Sequence, residues 1–142
     1  MAEMERLINQ QRRSRINKLG ASLAEGDSLI ETSGGKIATE LLDETSVEDM
    51  REIANLARKK IGSGVVIIGS TNQGNANIVI AITQDLVDRG VSAKELIGDA
   101  AKLIGGGGGG QDGLAIAGGK SGSQLKAALE LAQGTAKNAL ER

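Results

Sequence analysis

The sequence predicts an α+β domain in which an N-terminal helix is followed by a small mixed β-sheet with three main packed helices. Three observations carry this. Short, nearly continuous apolar runs of strand length alternate with stretches whose apolar residues recur at helical spacing. The 142 residues suit one compact unit. Leu, Ile and Val make up a quarter of the chain, above the level of roughly a fifth at which a core fails. That core must be aliphatic, because Phe, Tyr and Trp are absent.

Met1 to about Leu23 reads as a helix, with Met4, Leu7, Ile8, Ile16, Leu19 and Leu23 near one stripe. Asn9–Arg15 holds no apolar residue, which leaves the a and d positions of a continuous coiled coil empty. Gly26 closes this unit, giving a helical appendage, 1–25, and a globular α+β domain, 26–142. Ser28–Thr32 and Lys36–Leu42 suggest a hairpin pivoting on Gly34-Gly35. Ser46, with Asp49 three residues on, caps a helix that buries Val47, Met50, Ile53, Ala54, Ala57 and Ile61. Arg58, Lys59 and Lys60 suit its negative C-terminal end, and Gly62 or Gly64 stops it.

Val65–Gly69 and Asn77–Thr83 are apolar β runs, and Asn72-Gln73-Gly74-Asn75 between them has turn chemistry, so they read as an antiparallel pair. A short helical turn is expected around Asp85–Arg89. Ser92 and Glu95 form a capping box leading into Leu96, Ile97, Ala100, Leu103 and Ile104. Six glycines follow, then a brief β run, Leu114–Ala117, then Gly118-Gly119-Lys120-Ser121-Gly122. Leu125, Ala128, Leu129, Ala132, Ala136 and Leu140 share the face of a final helix.

Missing residue types exclude much chemistry. Without Cys or His there is no disulfide, thiolate nucleophile, imidazole base or His/Cys zinc site, and nothing marks a carboxylate metal site or a cofactor. The longest apolar runs fall far short of the roughly 20 residues a bilayer needs, and no signal peptide precedes them, so a soluble, cytoplasmic protein without membrane partners is expected. Proline is absent too, and six missing residue types together read as the mark of a simplified, designed or reconstructed sequence.

The glycines invite a phosphate reading, because bare backbone N–H groups approach anions closely. The Rossmann motif fails, since the run follows a helix rather than a strand. The P-loop fails as well: Gly119-Lys120-Ser121 lacks a glycine at position 114, which is Leu. Gly118–Ser123, ahead of the last helix and beside Lys120, is a better anion seat, and tight turns with a solvated Lys120 are the alternative. A flexible linker is the alternative for the six-glycine run; otherwise the two glycine tracts face each other across one surface. Arg12, Arg13, Arg15 and Lys18 form a local basic stretch in a chain of net charge −1, suited either to nucleic-acid phosphate or to an ordinary solvated helix face. Stacking of bases on aromatic rings is excluded.

Gly64-Val65-Val66-Ile67-Ile68-Gly69, Ile78–Thr83 and Val91–Ile97, followed by the glycine run, Leu114-Ala115-Ile116-Ala117-Gly118-Gly119-Lys120 and the Leu125–Leu129 helix, resemble the C-terminal domain of alanyl-tRNA synthetase, of the DHH-associated domain family. The resemblance covers nearly the whole chain. It implies a non-catalytic RNA-binding module that docks on the elbow of tRNA, alanine tRNA above all, and helps position it for aminoacylation and editing. It also implies that Gly105, Gly106, Gly107, Gly108, Gly109, Gly110, Gln111, Gly118, Gly119 and Lys120 face RNA. Arg12, Arg13, Arg15 and Lys18 would add phosphate contacts or join a helix–helix contact, and a homodimer through the terminal helices is a further expectation. Gln111 and Ile116 stand where the family commonly has a basic and a polar residue. Two alternatives are a DHH phosphodiesterase-type domain holding single strands or dinucleotides, and a designed scaffold that has lost binding.

Overall fold

A computed structural model describes residues 2–25 and 29–141. Met1, Gly26 and Ser28, which the sequence reading places at the ends of the first helix and first strand, lie outside the described residues, as does Arg142. In chain order the elements are α1 (Ala2–Glu25), β1 (Ile30–Thr32), β2 (Gly35–Asp43), α2 (Val47–Ile61), β3 (Gly64–Asn72), β4 (Asn75–Ile82), α3 (Gln84–Asp88), α4 (Ala93–Leu103), β5 (Gly106–Gly110), β6 (Leu114–Gly119) and α5 (Leu125–Leu140). A 3₁₀ turn, Gly122–Gln124, precedes α5. The fold is α+β with a leading helix, as the sequence predicts.

One mixed sheet runs in the order β1-β2-β3-β4-β6-β5. Its single parallel pairing, β2 with β3, is the one α2 crosses over; the others are antiparallel. The β1–β2 turn centres on Ser33-Gly34, one residue earlier than expected, because Thr32 Oγ1 accepts from the N–H groups of Gly34 at 3.2 Å and Gly35 at 3.1 Å. In the β3–β4 turn Gln73 and Gly74 both have positive φ, 52° and 85°, the sign pattern of a type I′ hairpin.

Residues of β3 from Gly64 to Ser70 are buried on both faces. Ile37, Val65, Ile67, Ile78, Ile80 and Ile82 point to the side covered by α4 and α5. Ala38, Leu42, Val66, Ile68, Val79 and Ala81 point to the side covered by α1 and α2. The two-residue alternation therefore builds two aliphatic cores on one sheet.

Ser46 caps α2 as expected, accepting from the Asp49 N–H at 3.2 Å, and Gly62 ends it at φ 84°. Ser92 does not cap α4: its hydroxyl donates to Asp112 Oδ1 at 2.8 Å, and no capping box forms with Glu95.

Helix α1 runs parallel to α2, since Arg12 meets Asp49 and, further along both helices, Gly20 meets Leu56. Ile16 and Leu23 are buried in this contact. The start of α1 extends past the start of α2 by roughly 12 Å, at 1.5 Å per residue. Met4, Leu7 and Ile8 lie on this overhang and are 68%, 55% and 60% exposed, so the expected single stripe is buried only in its second half. No helix among the described residues is long and apolar enough to cross a membrane.

Candidate nucleic-acid interface

Five consecutive glycines form a strand here although glycine has little tendency to do so. Neighbouring groups impose the conformation. At the β5–β6 turn the Ala93 N–H donates to the Asp112 carbonyl at 2.8 Å and the Ile82 N–H to the Gly113 carbonyl at 2.9 Å. The same Gly113 carbonyl accepts from Arg58 Nη1 at 2.9 Å. Gln111 is exposed in this turn, its N–H donating to the Leu114 carbonyl. At the far end Gly105 leaves α4 with φ 72°, and the Ser121 N–H donates to the Ile104 carbonyl at 2.9 Å.

The glycines of β5 divide by position. A Cβ on Gly106 or Gly110 would collide with the carbonyl oxygen of Gly118 or Leu114, and one on Gly108 would lie 2.8 Å from Ala117 Cβ. On Gly119 it would strike the Ile104 carbonyl under the end of α4. Gly106, Gly108 and Gly110 exclude side chains because β6 lies too close, and Gly119 because the end of α4 does. Gly107 and Gly109 are different: a Cβ there meets nothing within 4 Å.

Register places the open positions in a surface. One cross-strand row reads Gly107, Gly118, Asn77, Ser70, and the next reads Gly109, Ile116, Val79, Ile68. Paired residues share a face, so Gly107 and Gly109 lie on the α2 side of the sheet. Helix α2 covers the β3 and β4 end of these rows and leaves Gly107, Gly109 and Gly118 exposed. The result is a glycine shelf beside half-buried Ile116, which packs against the α2-side core.

The shelf is neutral, with cations around it. Lys120 is exposed just past the end of β6. Arg58 sits at the opposite end of β6, bound to Gly113 and, through Nη2, to Asn55 Oδ1 at 2.6 Å. Exposed Arg51 lies two helical turns earlier on the same flank of α2. The opposite flank, with Asp49, Glu52 and Leu56, faces α1. Sequence reading gave Arg58 only a helix-end role and passed over Arg51. Their spacing of seven on one face was visible, but that this face looks onto the glycines depends on the sheet order.

The remaining candidates are dispersed. In the Gly118–Ser123 segment, the N–H groups of Ser121 and Gly122 already donate to the carbonyls of Ile104 and Gly74, and the Gln124 N–H just beyond it donates to the Ser121 carbonyl. In the basic stretch, Arg12 pairs with Asp49 at 2.6 Å and with Glu52 at 3.3 Å, and Arg13 reaches Glu52 at 3.5 Å. The hydrogen bond and charge of Asp49 raise the Arg12 pKa further above its usual value. Arg15 donates to Thr45 Oγ1 at 3.0 Å, and Lys18 is exposed. Three of these four cations thus tie α1 to α2 and the loop before it.

The DHHA1 domain model matches residues 34–138, which takes in every strand from β2 to β6 and most of α5. The chain belongs to the DHHA1 domain family. Among curated relatives, this DHHA1 domain is 41% identical over 121 residues to the alanine–tRNA ligase of Alkaliphilus oremlandii, covering 81% of the chain and 14% of that protein. It is 32% identical over 137 residues to the alanine–tRNA ligase of Bacillus pumilus, covering 94% of the chain and 15% of that protein. The chain therefore spans about a seventh of the length of these relatives. Among solved structures, the C-Ala domain of Aquifex aeolicus alanyl-tRNA synthetase superposes with TM-score 0.70 at 28% identity, over 77% of this chain and 97% of that one. RecJ of Thermus thermophilus shares the fold, with TM-score 0.60 at 17% identity over 96% of this chain and 20% of that one. The DHHA1 domain here is homologous to the C-terminal domain of alanyl-tRNA synthetase.

Proposed function

We propose that this DHHA1 domain is a non-catalytic RNA-binding module that docks on the elbow of tRNA and helps present alanine tRNA for aminoacylation and editing. The observation that carries the reading is the glycine shelf. Gly107, Gly109 and Gly118 leave main chain exposed beside Ile116, between Lys120 at one end and Arg58 at the other. Six β6 residues separate these ends by about 20 Å at roughly 3.3 Å per residue. A flat surface without projecting side chains admits close approach of a folded RNA corner, and cations around it meet the phosphates. Kinship with alanine–tRNA ligases supports tRNA as that RNA.

The test is a titration of end-labelled tRNA at two salt concentrations, because the protein has no Trp or Tyr to report binding. Saturable binding that weakens with salt is expected, with intact tRNA competing and an elbow-disrupted tRNA competing poorly. Equal competition by every polyanion, or a preference for single strands or dinucleotides, would overturn elbow docking.

A further inference from the structure

Where β3 begins and β4 ends, below the β5–β6 turn, the surface opens into a cleft of about 480 Å³. Arg58 and Lys59 from α2, Gly113 from the turn, and Thr83, Gln84 and Asp85 at the start of α3 line it. The cleft and the glycine shelf share Arg58, whose guanidinium is fixed by Gly113 and Asn55. Two of its five N–H donors are engaged there, which leaves three. Lys59 is exposed.

Asp85 is the one carboxylate lining this cleft, and its oxygens serve internal donors. Ser63 Oγ donates to Asp85 Oδ2, and bonds from Ser63, Thr83 and the Leu86 N–H hold the carboxyl below the usual aspartate range. The Gln84 amide is also engaged, donating to Asp88 Oδ1 at 2.9 Å. The cleft therefore sets two cations, fixed Arg58 and exposed Lys59, against the one ionised carboxylate of Asp85, and the surplus positive charge suits an anion. Arg51 continues the line of positive charge along α2, about 10 Å from Arg58 at 1.5 Å per residue.

We propose that this cleft is a phosphate subsite, in which Lys59 and the free edge of Arg58 hold a backbone phosphate of the RNA strand that leaves the glycine shelf. The inference rests on the RNA-binding reading of the shelf and extends the interface past the β5–β6 turn. Arg58 has two roles: it anchors Gly113, and so β5, and it presents its remaining donors to the strand. Lys59 has only the second, which makes it the residue to change.

The experiment measures labelled tRNA binding to the 142-residue chain across a salt series, for the unchanged protein, Lys59→Gln, Gly109→Val and Lys137→Gln. Releasing one phosphate contact lowers the slope of log affinity against log salt by roughly 0.7–0.9. Lys59→Gln is expected to show that reduction and several-fold weaker binding at low salt, for all tRNA sequences alike. Lys137→Gln, on α5 across the sheet, is expected to leave the slope unchanged. A parallel titration with inorganic phosphate, followed by amide NMR, is expected to shift Lys59, Gly62 and Gln84. If the unchanged protein binds tRNA and Gly109→Val weakens it while Lys59→Gln keeps the full slope, the subsite is refuted and the shelf stands. If the unchanged protein shows no saturable tRNA binding, both readings fall together. Unaltered circular dichroism of each variant shows that a change in binding is not a loss of fold.

Discussion

Gly108 and Gly109 are neighbours of identical chemistry, yet the structure assigns them opposite responses to one added methyl group. At Gly108 the new Cβ lies 2.8 Å from Ala117 Cβ, 3.2 Å from the Ile116 carbonyl oxygen and 3.3 Å from Ala117 Cα. Strand pairing blocks relief, so Gly108→Ala should cost about 1–3 kcal/mol, the usual range for overpacking. At Gly109 nothing lies within 4 Å and φ is not positive. Gly109→Ala should therefore gain about 0.4–1 kcal/mol by restricting the unfolded chain. The two variants differ by about 1.4–4 kcal/mol. With roughly 3–4 °C per kcal/mol in a chain of this length, their Tm values should lie about 4–16 °C apart. Thermal unfolding followed by far-UV circular dichroism measures this without aromatic residues. Equal shifts in the two variants would refute the alternation of closed and open positions along β5, and the shelf with it.

Other outcomes follow from single contacts. Ser46→Ala should cost about 1 kcal/mol in denaturant unfolding, because its hydroxyl caps α2. Ser92→Ala should stay within about 0.5 kcal/mol, since that hydroxyl bonds exposed Asp112 rather than the helix end. Ile16→Ala should cost about 2–5 kcal/mol, against about 0.5 kcal/mol or less for Leu7→Ala on the overhang of the same helix. Burial of Glu40 raises its pKa, so the folded state favours the protonated carboxyl, and stability falls as pH rises through the folded pKa. Glu40→Gln should accordingly raise Tm near neutral pH and lose that advantage in acid, below the unfolded glutamate pKa; a gain unchanged in acid would refute this.

Local chemistry made most of the fold legible in the sequence. The Gln73-Gly74 turn, the Ser46 cap, the Gly62 stop and the buried face of α5 each follow from a few adjacent residues, and each formed; the apolar faces of α2 and α4 formed except at half-buried Val47 and exposed Leu103. What stayed hidden depended on distant partners. Strand β5 has no side chains and hence no periodicity; Arg58, the Ala93 N–H and the Ile82 N–H hold the turn that places it, from 19 to 55 residues away. Ser92 carried a capping signal that Asp112 outcompeted. The apolar residues of α1 suggested one buried stripe, but α2 begins too late to cover Met4, Leu7 and Ile8. At the interface the glycines and Lys120 were visible as motifs, whereas Arg51, Arg58 and Lys59 acquire a place there only once β6 and β5 lie at the end of the sheet beyond β4.

Strand β5 also sets where the domain yields first. A strand that buries no side chain is held only by its ladder to β6, its close approach to α4 and the clamps on its turn, so detaching it exposes little apolar surface. Its amides should therefore exchange with solvent through local openings well below the global unfolding free energy, while β3 and β4 exchange only when the whole molecule unfolds. Any ligand that requires the closed strand must then bind more weakly by the fraction of time the strand is open, and in binding it will hold that strand shut. Slowed exchange confined to residues 106–110 would therefore locate a ligand on this strand in the absence of any optical signal.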